Sequence, residues 1–177
     1  VSISGVRGIV GESLTPEVVV RYASALAEYS GRGKIVLGRD GRVTGGPLAN
    51  IISSTLLSMG CDVIALGIVP TPTVGLAVVR EGAAGGISVT ASHNPMQWNG
   101  MKFIGPSGMF LDGAQNVRLQ QVLTGPPMRY ALWDKTGRHT RDESAIARHI
   151  DAVLSQPLVG PEAIRKKSFT VVADCIN

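Results

Sequence analysis

A chain of 177 residues, 44% of them hydrophobic, can bury a real core: one full domain, with room for part of another. Its formal net charge of +4 fits either a surface that draws anionic ligands or a scattered excess on a soluble domain. Nucleic-acid binding is a poor fit, because no Lys/Arg run exceeds Arg165-Lys166-Lys167 and no aromatics interleave with the basic residues.

In chain order, Ser4-Gly5-Val6-Arg7-Gly8 comes first. Glycines bracket Arg7 and let the backbone run close to a ligand, so Arg7 either forks onto a phosphate or is a surface residue in a glycine-rich turn. Thr15-Pro16-Glu17 opens a helix as N-cap, first helical position and acidic first turn, and Val19, Tyr22, Ala23 and Leu26 form its buried stripe. Tyr22 and Tyr29 read as packing residues. Lys34 to Asp40 reads as a buried strand that delivers Arg39 and Asp40 to its carboxyl edge. A helix starts at Gly46-Pro47 and ends at Met59-Gly60. Another strand spans Cys61 to Gly67, and another helix Thr73 to Arg80.

The apolar run Gly86-Ile87-Ser88-Val89 then predicts a strand that stops at Thr90-Ala91-Ser92-His93-Asn94-Pro95. The sharp Asn-Pro turn leaves the Ser92 hydroxyl at the carboxyl edge of the sheet, where open α/β sheets bind ligands. Asn99-Gly100 reads as a hairpin turn that brings the Lys102 ammonium back toward Ser92. A hydroxyl, an imidazole and a cation on adjoining turns suggest phosphoryl chemistry. His93 can shuttle protons, bond a phosphate or simply hold the loop. Asp112 caps a helix bearing Ala114, Val117, Leu119, Val122 and Leu123. Arg129 to Thr140 reads as an exposed linker, Asp142 to Leu154 as an amphipathic helix, and Phe169 to Asp174 as a strand.

Strand and helix alternate, which predicts a three-layer α/β/α domain with a mixed, mostly parallel sheet; the hairpin adds an antiparallel edge. The expected division is residues 1–140 as this domain and 141–177 as the truncated beginning of a second α/β domain. Cys61 and Cys175 lie in apolar settings without Cys-x-x-Cys spacing and predict reduced, buried thiols. With no membrane-spanning run and no visible signal peptide, no membrane partner and a cytoplasmic location are expected.

Thr90 to Pro95, followed by Trp98-Asn99-Gly100-Met101-Lys102, resembles the phosphoserine loop of the α-D-phosphohexomutases, and Ser4 to Gly8 resembles that family's N-terminal signature, with Val6 in place of Ile. The resemblance implies a phosphoryl transfer between C6 and C1 of a hexose or hexosamine phosphate through a bisphosphate intermediate. Ser92 would be the phosphoryl carrier, and Lys102 the acid/base or charge stabiliser. Arg7 and His93 would support them, with Arg39 and Asn94 binding loop or substrate phosphate and Asp40 orienting a neighbouring arginine. It also implies Mg²⁺, with Ser92 supplying at most one ligand; no Asp-Gly-Asp-x-Asp-Arg loop occurs here. A piece of this kind is expected to be inactive alone and to bind metal weakly. Two other readings compete. A non-catalytic phosphate-binding module would keep the fold without the reaction. A serine hydrolase would need flanking glycines where Ala91 and His93 stand, and a neighbouring imidazole on an extended chain would point away from Ser92.

Overall fold

The computed structural model describes residues 5–174. It builds one six-stranded sheet from β1 (Gly5–Ile9), β2 (Ile35–Arg39), β3 (Val63–Ile68), β4 (Gly85–Val89), β5 (Trp98–Ile104) and β6 (His139–Arg141). The helices are α1 (Pro16–Tyr29), α2 (Gly45–Ser58), α3 (Thr71–Arg80), α4 (Gly113–Thr124), α5 (Ala145–Leu154) and α6 (Pro161–Lys166). Strand order is β1-β5-β4-β2-β3-β6. β2 pairs parallel with β3 and β4, and β3 with β6, whereas β5 runs antiparallel to both β4 and β1. The sheet is mixed and mostly parallel, as expected; β5 is interior rather than an edge, because β1 closes that side. No helix among the described residues is long and apolar enough to cross a membrane.

Alternation along each strand divides the core in two. Val6, Ile35, Leu37, Ile87, Met101 and Phe103 face α1, α2 and α4, while Val36, Ile64, Val74 and Val78 pack on the other face, where α3 lies against α5. Tyr22 stacks on Phe103 with ring centroids 6.2 Å apart, so it is a packing residue. Thr15 caps α1, and Asp112 with Gln115 forms a reciprocal capping box on α4.

Asn99-Gly100 is not a hairpin turn. Both residues lie inside β5, and the real turn is the longer loop from Thr90 to Gln97. The stretch read as a linker also does structural work: the amide of Ala131 donates to the Ser58 carbonyl, Gly137 donates to Leu57, and His139–Arg141 adds β6 to the sheet. Residues 169–174 make no strand, and Phe169, Val171 and Val172 are exposed. Val-rich composition supplies β-propensity, but a strand exists only against a partner. Cys175 lies outside the described residues. Cys61 is free and fully buried at the end of α2, and burial pushes its thiol up to about 11. The unfolded thiol ionises first, so the stability that Cys61 confers as a neutral group is complete below pH ~9 and is lost as pH rises from ~9 to about 11. Chemical denaturation of Cys61→Ala should show a shallower decline than wild type across that window.

Candidate functional site

β2 has β3 on one side and β4 on the other, reached by α2 and α3 on opposite faces. The gap between the carboxyl ends of β2 and β4 is therefore the sheet's topological switch point, the usual ligand crevice of such folds. The loop from Thr90 to Gln97 sits there, joined to β2 through the Asp40 amide, which donates to the Val89 carbonyl at 3.0 Å.

Ser92 is exposed and takes φ +58°, the left-handed region that costs a non-glycine residue about 1–2 kcal/mol. Its amide donates to the hydroxyl of buried Thr90 at 3.0 Å, which fixes the turn and leaves Oγ facing outward. Because Ser92 is not extended, His93 does not point away from it: Nδ1 stands 3.4 Å from Ser92 Oγ. The expectation of opposite sides fails on that one backbone angle.

Sequence reasoning missed the residue that holds this loop. Arg42, whose side chain is only 11% exposed, donates through Nη1 to the Pro95 and Trp98 carbonyls and through Nη2 to those of Ser92 and Asn94, at 2.6–3.2 Å. Its Nε donates to the Asp40 carboxylate at 3.2 Å. All five guanidinium N–H groups are committed, so Arg42 shapes the loop and has no donor left for a ligand. Asp40 also accepts from the Arg42 amide at 3.0 Å, so one carboxylate both turns the chain and aims the side chain.

Arg7 comes to the loop from β1, whereas Lys102 stands within β5, opposite Ser88. Arg7 pairs with Gly100, and Lys102 pairs with Gly5 and Ser88. With neighbours Val6, Met101 and Phe103 in the α1/α2 core, both cations project from the opposite face. Arg7 Nη1 donates to Asn94 Oδ1 at 2.6 Å, and Lys102 Nζ sits 5.5 Å from the centroid of the Phe110 ring. Neither cation pairs with a carboxylate among the described residues. On the same face Ser88 Oγ lies 2.9 Å from Thr71 Oγ1 at the first turn of α3, whose positive dipole end joins the cluster. The result is an exposed hydroxyl on a loop held by Arg7, with the unneutralised Lys102 and a helix N-terminus on the same face of the sheet, a setting suited to a transferring phosphoryl group.

Arg39 is not in this cluster. It follows Ile35 and Leu37 in alternation, so it projects on the α2 face, away from Arg7 and Lys102. Its Nη1 donates to the Asp40 carbonyl at 3.1 Å, not to the Asp40 carboxylate. Asn99 is fully buried and ties β5 to α2: Nδ2 donates to Thr44 Oγ1 at 2.9 Å, and Oδ1 accepts from the Gly100 amide at 2.8 Å. Asn99→Ala strips Thr44 and Gly100 of buried partners and should lower stability by about 1–3 kcal/mol, measured by urea denaturation. His149 lies far along the chain on α5, where Nδ1 is 2.8 Å from Thr73 Oγ1, and takes no part in the site.

Residues 2–125 match the family model described as phosphoglucomutase/phosphomannomutase, alpha/beta/alpha domain I. A Methanopyrus kandleri protein assigned as a phosphoglucosamine mutase is 40% identical over 174 residues, covering 98% of this chain and 37% of the relative. A phosphoglucomutase/phosphomannomutase of Thermococcus kodakarensis is 39% identical over 178 residues, with 98% and 38% covered. Among solved structures, a Thermus thermophilus protein assigned as a phosphomannomutase superposes with a TM-score of 0.74 at 29% identity, covering 87% of this chain and 36% of that one. The chain thus spans under two-fifths of the length of these relatives. By its fold and by the segment that matches, this chain belongs to the phosphoglucomutase/phosphomannomutase family and carries that family's α/β/α domain I.

Proposed function

We propose that the protein containing this chain is a phosphohexomutase in which Ser92 carries the phosphoryl group. The observation that carries the reading is the Ser92 hydroxyl, turned outward at φ +58° on a loop tied down by Arg42 and Arg7. In the first half-reaction the P–Oγ bond of phospho-Ser92 breaks as a hydroxyl oxygen of a hexose monophosphate bonds to phosphorus. The sugar hydroxyl gives up its proton, and Ser92 Oγ gains one. The 3.4 Å approach of His93 to Oγ supports a proton role for the imidazole, and Lys102 is the second candidate. Arg7 and Lys102 offset the charge on the phosphoryl oxygens. The bisphosphate then turns over, and its other phosphate returns to Ser92 by the reverse transfer. Asn94 orients Arg7 and contacts the substrate only through it.

Mg²⁺ does not fit this chain alone: among the described residues no group of three or more His, Cys, Asp or Glu could hold a metal ion. A phosphate on Ser92 would contribute one oxygen to a metal site that needs further ligands from outside these residues.

The test is the full-length protein with the 6-phosphates of glucosamine, glucose and mannose, a panel set by the names of the relatives. At least one should equilibrate with its 1-phosphate, and phosphopeptide mapping of the purified enzyme should place the phosphate on Ser92. A protein that binds these sugars without interconverting any of them is a binding module, and the mutase reading falls.

A further inference from the structure

On the opposite face of the sheet, a cavity of about 680 Å³ lies over the carboxyl ends of β2 and β3, between α2 and β6. Nothing in the reaction above uses it. We infer that it is a second binding site, for a small phosphate-bearing anion.

Three independent features point to such a ligand. The first is an uncompensated charge. Arg39 runs against the start of α2, where a Cβ at Gly45 would meet its Cδ at 3.4 Å and Nη1 at 3.6 Å. A guanidinium held at the positive end of a helix is unfavourable unless an anion lies between them. Arg39 makes no ion pair among the described residues. The second is an open donor on that helix. Thr44 makes no capping bond to α2, because its hydroxyl serves Asn99, and the Gly46 amide on the cavity wall has no acceptor among the described residues. No side chain at Gly46 blocks approach to it. The third is Ser53, only 9% exposed, whose hydroxyl lines the cavity and makes no hydrogen bond among the described residues. A helical serine ordinarily satisfies itself on the carbonyl four residues back, as Thr55 does on Ile51 at 2.8 Å. Ser53 does not, so its hydroxyl, open to the cavity rather than sealed, stands ready for something there.

The rest of the lining agrees in sign and size. Arg141 of β6 supplies a second guanidinium without a carboxylate partner among the described residues, and His139 and Asn50 add further hydrogen-bonding groups. Of the two acids on the wall, Asp142 is already committed to Arg148 and Ser144, which leaves Glu143 as the single opposing charge. Two forked cations, a free helix amide and an unpartnered hydroxyl match the tetrahedral acceptor set of a phosphate group. The volume leaves room for a small organic body attached to it.

The inference does not depend on the mutase reading, because the cavity shares no side chain with Ser92, Arg7 or Lys102. The test is an amide NMR titration of the ¹⁵N-labelled 177-residue chain with inorganic phosphate, at constant ionic strength maintained with chloride. Saturable shifts are expected at Gly46, Asn50 and Ser53. Arg39→Gln should weaken this binding ~10-fold or more, and Ser53→Ala about threefold, while Arg7→Gln leaves it unchanged. Should Arg39→Gln lose its folded spectrum, Arg141→Gln and Ser53→Ala carry the same comparison. Shifts confined to residues 90–98, shifts that never saturate, or saturation indifferent to these variants would overturn the second site.

Discussion

Replacing Ser92 by alanine in the full-length protein should abolish sugar-phosphate interconversion while the fold survives. The expected loss in kcat is on the order of 10⁴-fold or more, the scale at which an enzyme is left with binding but no covalent carrier. Substrate affinity should change little, because the cations proposed to meet the phosphate, Arg7 and Lys102, sit on β1 and β5 and stay in place. Glycine sharpens the test. Ser92 holds φ +58°, and glycine enters that region without the steric cost that serine bears. Ser92→Gly should therefore match or exceed wild type in thermal midpoint by up to about 1 kcal/mol of stability, less what the looser unfolded chain takes back. An inactive variant at least as stable as wild type separates chemistry from folding. If Ser92→Gly retained turnover, the phosphoryl group would have another carrier and the reading would be wrong.

How much of this was visible in the residues alone depended on whether the relevant partners were side chains or backbone. The order of elements followed from period and punctuation: Thr15 and Asp112 cap the helices they were expected to cap, and the strands fall where short apolar runs stop at Gly or polar residues. The Ser92 loop was legible because its chemistry-bearing residues are contiguous. Arg42 was not, because its partners are four carbonyl oxygens 50–56 residues away, and carbonyls leave no mark on a sequence. Asn99-Gly100 misled for a different reason. The dipeptide is a strong hairpin signal, but pairing on both sides by β4 and β1 outweighs local turn preference, and Gly100 is there because neighbours crowd it: a Cβ would come within 2.6 Å of the Val6 carbonyl oxygen. The side taken by Arg39 was recoverable. Ile35, Leu37 and Arg39 alternate on one face, and strict counting sends Arg39 away from Lys102. The strand β6 was beyond reach, since three exposed residues carry no alternation to read.

Arg42→Ala should produce the second large effect, a fall in kcat of about 10²–10³-fold with a much smaller loss of global stability. The reasoning turns on where the freed groups end up. Truncation removes five side-chain hydrogen bonds, but the carbonyls of Ser92, Asn94 and Pro95 belong to an exposed or half-exposed loop that water can reach. Their desolvation cost is therefore mostly avoided, and stability should drop by only about 1–3 kcal/mol. What is lost is position: Ser92 Oγ no longer has a fixed place between Arg7 and His93, and an ångström of drift is enough to cost two orders of magnitude. Lysine cannot restore it, because one ammonium has three donors and no fork to span four carbonyls, so Arg42→Lys should stay within about tenfold of the alanine variant. The loss should fall on kcat rather than KM, since no Arg42 donor faces a substrate. Amide exchange supplies the readout that a general loss of stability would not give. Protection should collapse at Asn94 and Trp98, whose amides bond Ala91 and Pro95 within the loop, and hold at Asp40, which is bonded to Val89 beneath it. Uniform loss of protection across the sheet would mean that Arg42 supports the whole domain, and the positional account of the loop would have to be abandoned.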